Sequence, residues 1–342
     1  MMRKALLAAL AATCVAVASA ATPALAATND SESVGSKGVS VYDPTTKRSF
    51  VTTNAAEADR LIADYWTPQR RAAAKPIDSV PAKQSTREHQ PDSRQAPVIG
   101  AYPAAPSVRP TANGSLDVRA LAVNFTFAVG TVFFTDPGFG DFVCSASTLN
   151  TGKARLVFTA GHCVNHGPGG SWASNWVFDP GYSFGPSSAG SFTAWQLWSK
   201  NGWINNGDRH FDYGIAITNN NQFGQKVVNA VGGNGIVYNA GRPFVTSFGY
   251  PAAIQGGEAQ LACQGQLSRR SITNSDQKLP CVWSGGASGG PMLRDYNTSF
   301  PGLGWIVSVI SYHIDVPGPE FGPYLDGDAQ SLVNTAEGAS PA

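Results

Sequence analysis

The chain has 342 residues, of which 14% are charged, and a formal net charge of +1. That length predicts two domains, or one domain with appendages. The charge divides as +2 over residues 28–115 and −3 over 116–342, so neither part carries a basic surface and nucleic acid is excluded as the expected partner.

The first residues read as a secretory signal. Arg3 and Lys4 are followed by an apolar stretch, Ala5 to Ala18, too short to span a bilayer comfortably. Ala18-Ser19-Ala20 and Ala24-Leu25-Ala26 both fit small-x-small cleavage, and we favour the later cut, giving a signal peptide of residues 1–26. The expected product is secreted, with no membrane association after cleavage. The other reading is a retained anchor.

Cleavage removes Cys14 and leaves Cys144, Cys163, Cys263 and Cys281. An even number in an exported chain predicts two disulfides. Three pairings are open. Order along the chain favours Cys144–Cys163 and Cys263–Cys281, each closing a short loop. A zinc site is the alternative, and the lack of any CxxC pair weakens it.

Residues 28–115 hold nine prolines, one Phe (Phe50) and one Trp (Trp66), against sixteen Phe and seven Trp afterwards. Aromatic side chains supply much of a core's buried area, so the core is expected after about residue 116. Residues 27–115 read as a largely irregular propeptide or linker, with Ala72 to Pro110 its most extended part. One helix is expected there, Asn54 to Tyr65, with Asn54 as N-cap and Glu57 three residues on.

From 116 onward, short apolar runs alternate with Gly, Pro, Asn and Asp. "FTFAVGTVFF" (125–134), "RLVFTA" (155–160), "YGIAIT" (213–218), "RPFVTSFGY" (242–250) and "GWIVSVISYH" (304–313) are strand-length and β-rich. A final helix is expected near Asp328 to Ala336, starting at Asp326 or Asp328. About 225 residues of this kind predict an all-β domain, barrel or sandwich.

Three stretches carry candidate chemistry. "LVFTAGHC" (156–163) ends an apolar run on His162 and Cys163. "HFDYGIAIT" (210–218) sets Asp212 just before a strand, where an aspartate by itself is usually a turn residue. "WSGGASGGP" (283–291) surrounds Ser288 with glycines. Such a loop is commonly a flexible linker, but it can also aim consecutive N–H groups into one concavity. Together the three supply a hydroxyl nucleophile, an imidazole base and a carboxylate to hold the base in one tautomer.

These motifs resemble those of the chymotrypsin-like serine peptidases. "TAGHC" resembles the family's histidine motif, "FDYGIAI" its aspartate motif and "GASGGP" its serine motif. "CSASTLN" (144–150) resembles the strand whose cysteine bridges to the one after the histidine, and "SVISYH" (308–313) the strand lining the cleft. "VGTVFFTDPGFGDFVCSAS" and "FGYP" look closest to the secreted bacterial branch that includes glutamyl endopeptidases. The resemblance covers about 116–336. It implies two six-stranded antiparallel β-barrels, with a C-terminal helix, over a domain 116–342. It implies His162 as general base, Asp212 as its orienting carboxylate, Ser288 as nucleophile, and Gly286 and Ser288 as the oxyanion hole. Ser311 matches a serine that hydrogen-bonds the aspartate.

Two departures bear on specificity and activation. Ala287 stands where the digestive branch has an aspartate that pairs with a newly cut N-terminus. Val282 stands where trypsin-like members carry the acid that selects Arg or Lys, so cleavage after a basic residue is not expected. Val282, Ser311 and His313 are the candidate substrate-binding residues, with His313 a candidate to favour an acidic side chain. The reading is a secreted serine endopeptidase made as a preproprotein, acting as a monomer on protein or peptide substrates without cofactor or metal. Arg70-Arg71 and Arg119 are candidate processing sites. A non-catalytic secreted binding protein on the same scaffold is the rival.

Overall fold

The structure is a computed structural model that describes residues 33–52, 54–77, 95–107, 125–299, 301–314 and 317–342. The expected signal peptide 1–26, residues 27–32, 53, 78–94 and 108–124 of the chain, and with them Arg119, lie outside the described residues.

The first half of the core is a closed antiparallel barrel. Its strands are Val129–Asp136, Gly140–Leu149, Leu156–Thr159, Ser174–Pro180, Phe192–Lys200 and Gly214–Thr218. The strand Ser174–Pro180 pairs with both Val129–Asp136 and Phe192–Lys200, which closes the circle. Closure leaves no free edge within the ring. Apolar runs such as Leu156–Thr159 and Gly214–Thr218 are buried along their whole length. These two strands pair with Thr159 opposite Gly214. The chain beyond Thr159 and the chain before Gly214 therefore leave the sheet side by side, and this register brings the His162 and Asp212 turns together.

The second half contains a six-stranded sheet in the order Leu261–Gln266, Phe244–Gly249, Pro291–Asn297, Leu303–Val309, Gly235–Tyr238, Val98–Ala101. A smaller sheet joins Ser268–Arg269, Gln277–Leu279, Glu320–Gly322 and Tyr312–His313. This is the expected all-β double-barrel architecture. The helix Gly327–Ala339 closes the chain. Asp326 caps it by accepting from the Asp328 N–H at 3.0 Å, and Ala329, Leu332, Val333 and Ala336 face the core. No helix among the described residues is long and apolar enough to cross a membrane.

The disulfides are Cys144–Cys163 and Cys263–Cys281, each with Cα atoms 6.2 Å apart. Both expected pairings form, and the four sulfurs are thereby withdrawn from metal binding.

The N-terminal segment is more ordered than its composition implies. The helix Ala55–Tyr65 begins at Asn54, whose side chain accepts from the Glu57 N–H at 3.2 Å, as the capping residues predict. The segment also adds strands to the first barrel: Val34–Gly38 lies antiparallel to Phe192–Lys200, and Lys75–Pro76 runs parallel to Gly140–Leu149. Ile62 and Trp66 are buried with the barrel core, and the Trp66 indole donates to the Asn175 carbonyl at 2.6 Å. A second short helix, Pro68–Ala73, carries Arg71 to the fully buried Asp179, with Nε 2.9 Å from Oδ2. With Val39, Val41 and Ile77 in the same cluster, these anchors dock a polar segment because they enter a core built largely by other residues. Further on, Val98–Ala101 pairs antiparallel with Gly235–Tyr238, so part of the presumed linker is an edge strand of the second sheet.

Candidate active site

His162 sits in a 3-10 turn, Gly161–Cys163, immediately after the strand Leu156–Thr159. The turn is pinned on several sides. Cys163 is bonded to Cys144, and the Trp176 indole donates to the Cys163 carbonyl at 3.1 Å. The Trp203 ring stands edge-on to the imidazole, with centroids 6.1 Å apart. Gly161 is required here, since a Cβ would meet both the Asp212 carboxylate and the Trp203 ring.

Asp212 is buried and makes three contacts with the site. Oδ1 accepts the His162 backbone N–H at 2.8 Å, and Oδ2 lies 2.8 Å from Nδ1 of the same residue. The Ser311 hydroxyl donates to Oδ2 at 2.5 Å. A carboxylate only accepts, so in the neutral imidazole Nδ1 carries the hydrogen and Nε2 the lone pair. Burial pushes the Asp212 carboxyl pKa up, but the His162 charge, its hydrogen bonds and that of Ser311 outweigh burial, and the net shift is downward.

Ser288 is buried in the turn that leads into the strand Pro291–Asn297. Three bonds fix this turn to the first barrel and to its own sheet. The Ser145 N–H donates to the Ser288 carbonyl at 2.7 Å, the Ser145 hydroxyl donates to the Gly286 carbonyl at 2.8 Å, and the Gly289 N–H donates to the Ile310 carbonyl at 2.7 Å. Gly286 has φ +96° and Gly289 φ +83°, conformations that L side chains rarely adopt, and a Cβ on Gly289 would strike Thr159. The peptides that carry the Gly286 and Ser288 N–H groups are held through their own carbonyls: Gly285 accepts from the Ala252 N–H and Ala287 from the Gly290 N–H, each at 2.9 Å. Ala287 is buried in the second barrel's apolar cluster and offers no charge.

The remaining candidates separate. Ser311 reaches the site through Asp212. His313 is half-buried on the strand Tyr312–His313. Val282 is 58% exposed, so its side chain does not form the floor of a buried pocket. Sequence reasoning missed Glu320, which is buried on the strand Glu320–Gly322 and accepts the Trp283 N–H at 3.2 Å. Val282 itself supplies no carboxylate, and Glu320 brings one to the backbone of this loop from another strand. The available signal was a lone acid inside "PGPEFGPY" (317–324), an apolar, turn-rich stretch where a solvated carboxylate has little reason to be.

His210 is also buried, two residues before Asp212, with Nε2 3.3 Å from Asp326 Oδ2. It belongs to the attachment of the C-terminal helix. His166 pairs with Asp136 and stacks on Phe139 at 5.2 Å.

Two solved structures resemble this chain over nearly their whole lengths. A thermostable serine protease, AL20, from an extremophilic microorganism is 35% identical, with 63% of this chain and 99% of that chain covered and a TM-score of 0.58. The protease Anisep from Arthrobacter nicotinovorans is 35% identical, with 64% and 98% covered and a TM-score of 0.58. A Glu endopeptidase in complex with MPD shares the fold at 20% identity, with 66% and 96% covered and a TM-score of 0.51. No protein-family model and no curated protein matches the chain.

Proposed function

Because the chain belongs to the chymotrypsin-like serine proteases, a family of hydrolases, we propose that it cleaves peptide bonds with His162, Asp212 and Ser288 as its catalytic triad. The observation that carries this reading is the Asp212 carboxylate, which holds both the backbone and the ring of His162.

In the proposed cycle Ser288 Oγ attacks the scissile carbonyl while His162 Nε2 takes its proton. The new C–O bond converts the carbonyl to an oxyanion, which the N–H groups of Gly286 and Ser288 stabilise. One such donor contributes about 3–4 kcal/mol to lowering the barrier. His162 then passes the proton to the leaving amine as the C–N bond breaks. Water attacks the resulting acyl-enzyme by the same route and returns Ser288 to its hydroxyl form. Asp212 keeps its charge throughout, in line with its lowered pKa.

We further propose export through residues 1–26, and a propeptide that ends between residues 77 and 95. The strand Val98–Ala101 pairs with the second sheet, which supports a catalytic body starting before Val98 and not near 116. The expected mature protein is secreted and acts on proteins or peptides.

The deciding experiment is labelling with a fluorophosphonate probe, followed by peptide mapping. Modification of Ser288 and its loss in Ser288→Ala are expected. A folded protein that leaves Ser288 unmodified would return the reading to a non-catalytic binding module.

A further inference from the structure

Resting on the catalytic reading above, we infer that residues 33–77 are not discarded when the chain is cut between 77 and 95. They stay on the first barrel as a bound second chain and position the turn that carries His162.

The hold is centred on Asn175. This residue is buried in the strand Ser174–Pro180 at φ +50°, a left-handed conformation that asparagine adopts more readily than most residues. Its N–H donates to the Ser40 carbonyl at 2.9 Å, its side-chain oxygen accepts the Tyr42 N–H at 2.9 Å, and its side-chain nitrogen donates to the Tyr42 carbonyl at 3.3 Å. The Trp66 indole donates to its carbonyl. Every backbone and side-chain polar group of Asn175 is thus engaged by the segment. The neighbouring Ser174 hydroxyl lies 2.8 Å from that of Ser40 and 2.9 Å from that of Ser49. Apolar contact adds to this. Val39, Val41, Ile62, Trp66 and Ile77 are members of the barrel's core cluster, and the Trp66 ring packs on Phe133 with centroids 5.5 Å apart. A buried aromatic anchor and a desolvated arginine, here Trp66 and Arg71, are the groups that dominate affinity between separate chains. None of these contacts uses residues 78–94, so a cut there leaves the whole set in place.

Both flanks of the His162 turn lead back to the segment. Asn175 is followed by Trp176, whose indole holds the Cys163 carbonyl. On the other flank, the Asn201 N–H donates to the Ser33 carbonyl at 3.0 Å, and its side chain donates to the Ser33 hydroxyl at 2.6 Å. Asn201 opens the helix Asn201–Asn206, whose Trp203 stands edge-on to the imidazole and donates to the Asn165 carbonyl at 2.8 Å. Gly35 lies so close to this helix that a Cβ would meet Ile204 and Asn201. Trp176 and Trp203 therefore hold the turn from two sides, and each sits beside a residue bonded to the segment. A shift of the turn moves His162 away from Ser288, and misplacement by about 1 Å can cost about 10²-fold in rate.

The test uses the full chain with the recognition sequence of a site-specific protease placed within 78–94. After cutting, gel filtration at about 100 nM, where interfaces of ordinary size persist, should return the segment in one peak with the peptidase body. Ser288→Ala carries this readout without reference to catalysis. In Trp66→Ala/Arg71→Ala the cut segment should elute alone. Its kcat, per fluorophosphonate-reactive Ser288, should fall about 10–100-fold with KM within about twofold. Adding the segment purified from the cut parent should restore kcat. A segment that leaves the parent, or whose loss leaves kcat unchanged or raises it as loss of an inhibitor would, overturns the inference. Should the double variant fail to fold, Trp66→Phe keeps an aromatic ring and loses the bond to the Asn175 carbonyl. It should release the cut segment faster than the parent, with kcat falling in step. Absence of labelling in the parent would refute the triad, and gel filtration would still decide retention.

Discussion

Asp212 holds His162 twice, at the backbone N–H and at ring Nδ1, each at 2.8 Å. The double contact fixes the position of the turn as well as the tautomer of the ring. Asp212→Asn should retain the backbone contact and lose the correct tautomer. We expect kcat to fall by about 10⁴-fold with little change in KM. Ser288→Ala and His162→Ala should abolish turnover with the melting temperature nearly unchanged. Near-normal turnover in either folded variant would refute the triad.

The docking of the N-terminal segment depends on Arg71 and Asp179. Burial pushes the Asp179 carboxyl pKa up, even though Arg71 pulls it down. A raised carboxyl favours folding below its unfolded value and disfavours it as pH rises through the folded value. Arg71→Ala should therefore cost little in acid, where Asp179 is protonated, and about 3 kcal/mol or more at pH 8. Urea melts of the proprotein in a Ser288→Ala background measure both. An equal cost at the two pH values would refute the ion pair as the anchor.

His210 links the turn before Asp212 to the Asp326 cap of the C-terminal helix. Burial lowers its pKa, but the Asp326 bond and the charges of Asp326, Asp276 and Asp208 raise it more, and the net shift is upward. This stabilisation is full below the unfolded value near 6.5 and is lost as pH rises through the folded value. His210→Gln should lower the melting temperature more at pH 5.5 than at pH 9. A gap that widens with pH would count against the pairing.

Ala287 is buried among apolar neighbours, and the Gly286 and Ser288 carbonyls are held by Ser145. The oxyanion loop thus has supports that need no new N-terminus. Mature forms starting at several positions from residue 90 to Val98 should turn over alike, and acetylating the terminal amine should have no effect. Starting after Ala101 removes the edge strand and should lower the melting temperature. One uniquely required, amine-bearing terminus would contradict this.

Cys163 follows His162 directly, so the Cys144–Cys163 bridge tethers the His162 turn to the strand Gly140–Leu149. Replacing both cysteines by serine should cost about 3 kcal/mol of stability and lower kcat as well. Opening Cys263–Cys281 should cost stability similarly with a smaller effect on kcat. Non-reducing peptide maps of the purified protein provide the direct check on pairing, and a crossed pattern would overturn it.

The motifs around His162, Asp212 and Ser288 were legible because each depends on its own neighbours: a strand end, a turn, a run of glycines. The cysteine pairing was legible because both loops are short. The all-β class and both helix caps, Asn54 and Asp326, followed from local composition and capping chemistry. The docking of this N-terminal segment on the barrel was not legible, since Ile62, Trp66 and Arg71 gain their energy from Asn175, Asp179 and a barrel far along the chain. Glu320 was missed for the same reason. Its neighbour Trp283 is 37 residues away in sequence, and a carboxylate's role depends on which face of a strand it occupies and how little water reaches it. Sequence alone picked out the proposed reacting groups, because their chemistry and immediate backbone are local properties. Only the tertiary structure decided which charge stands beside them, because burial and strand register arise from contacts between distant parts of the chain.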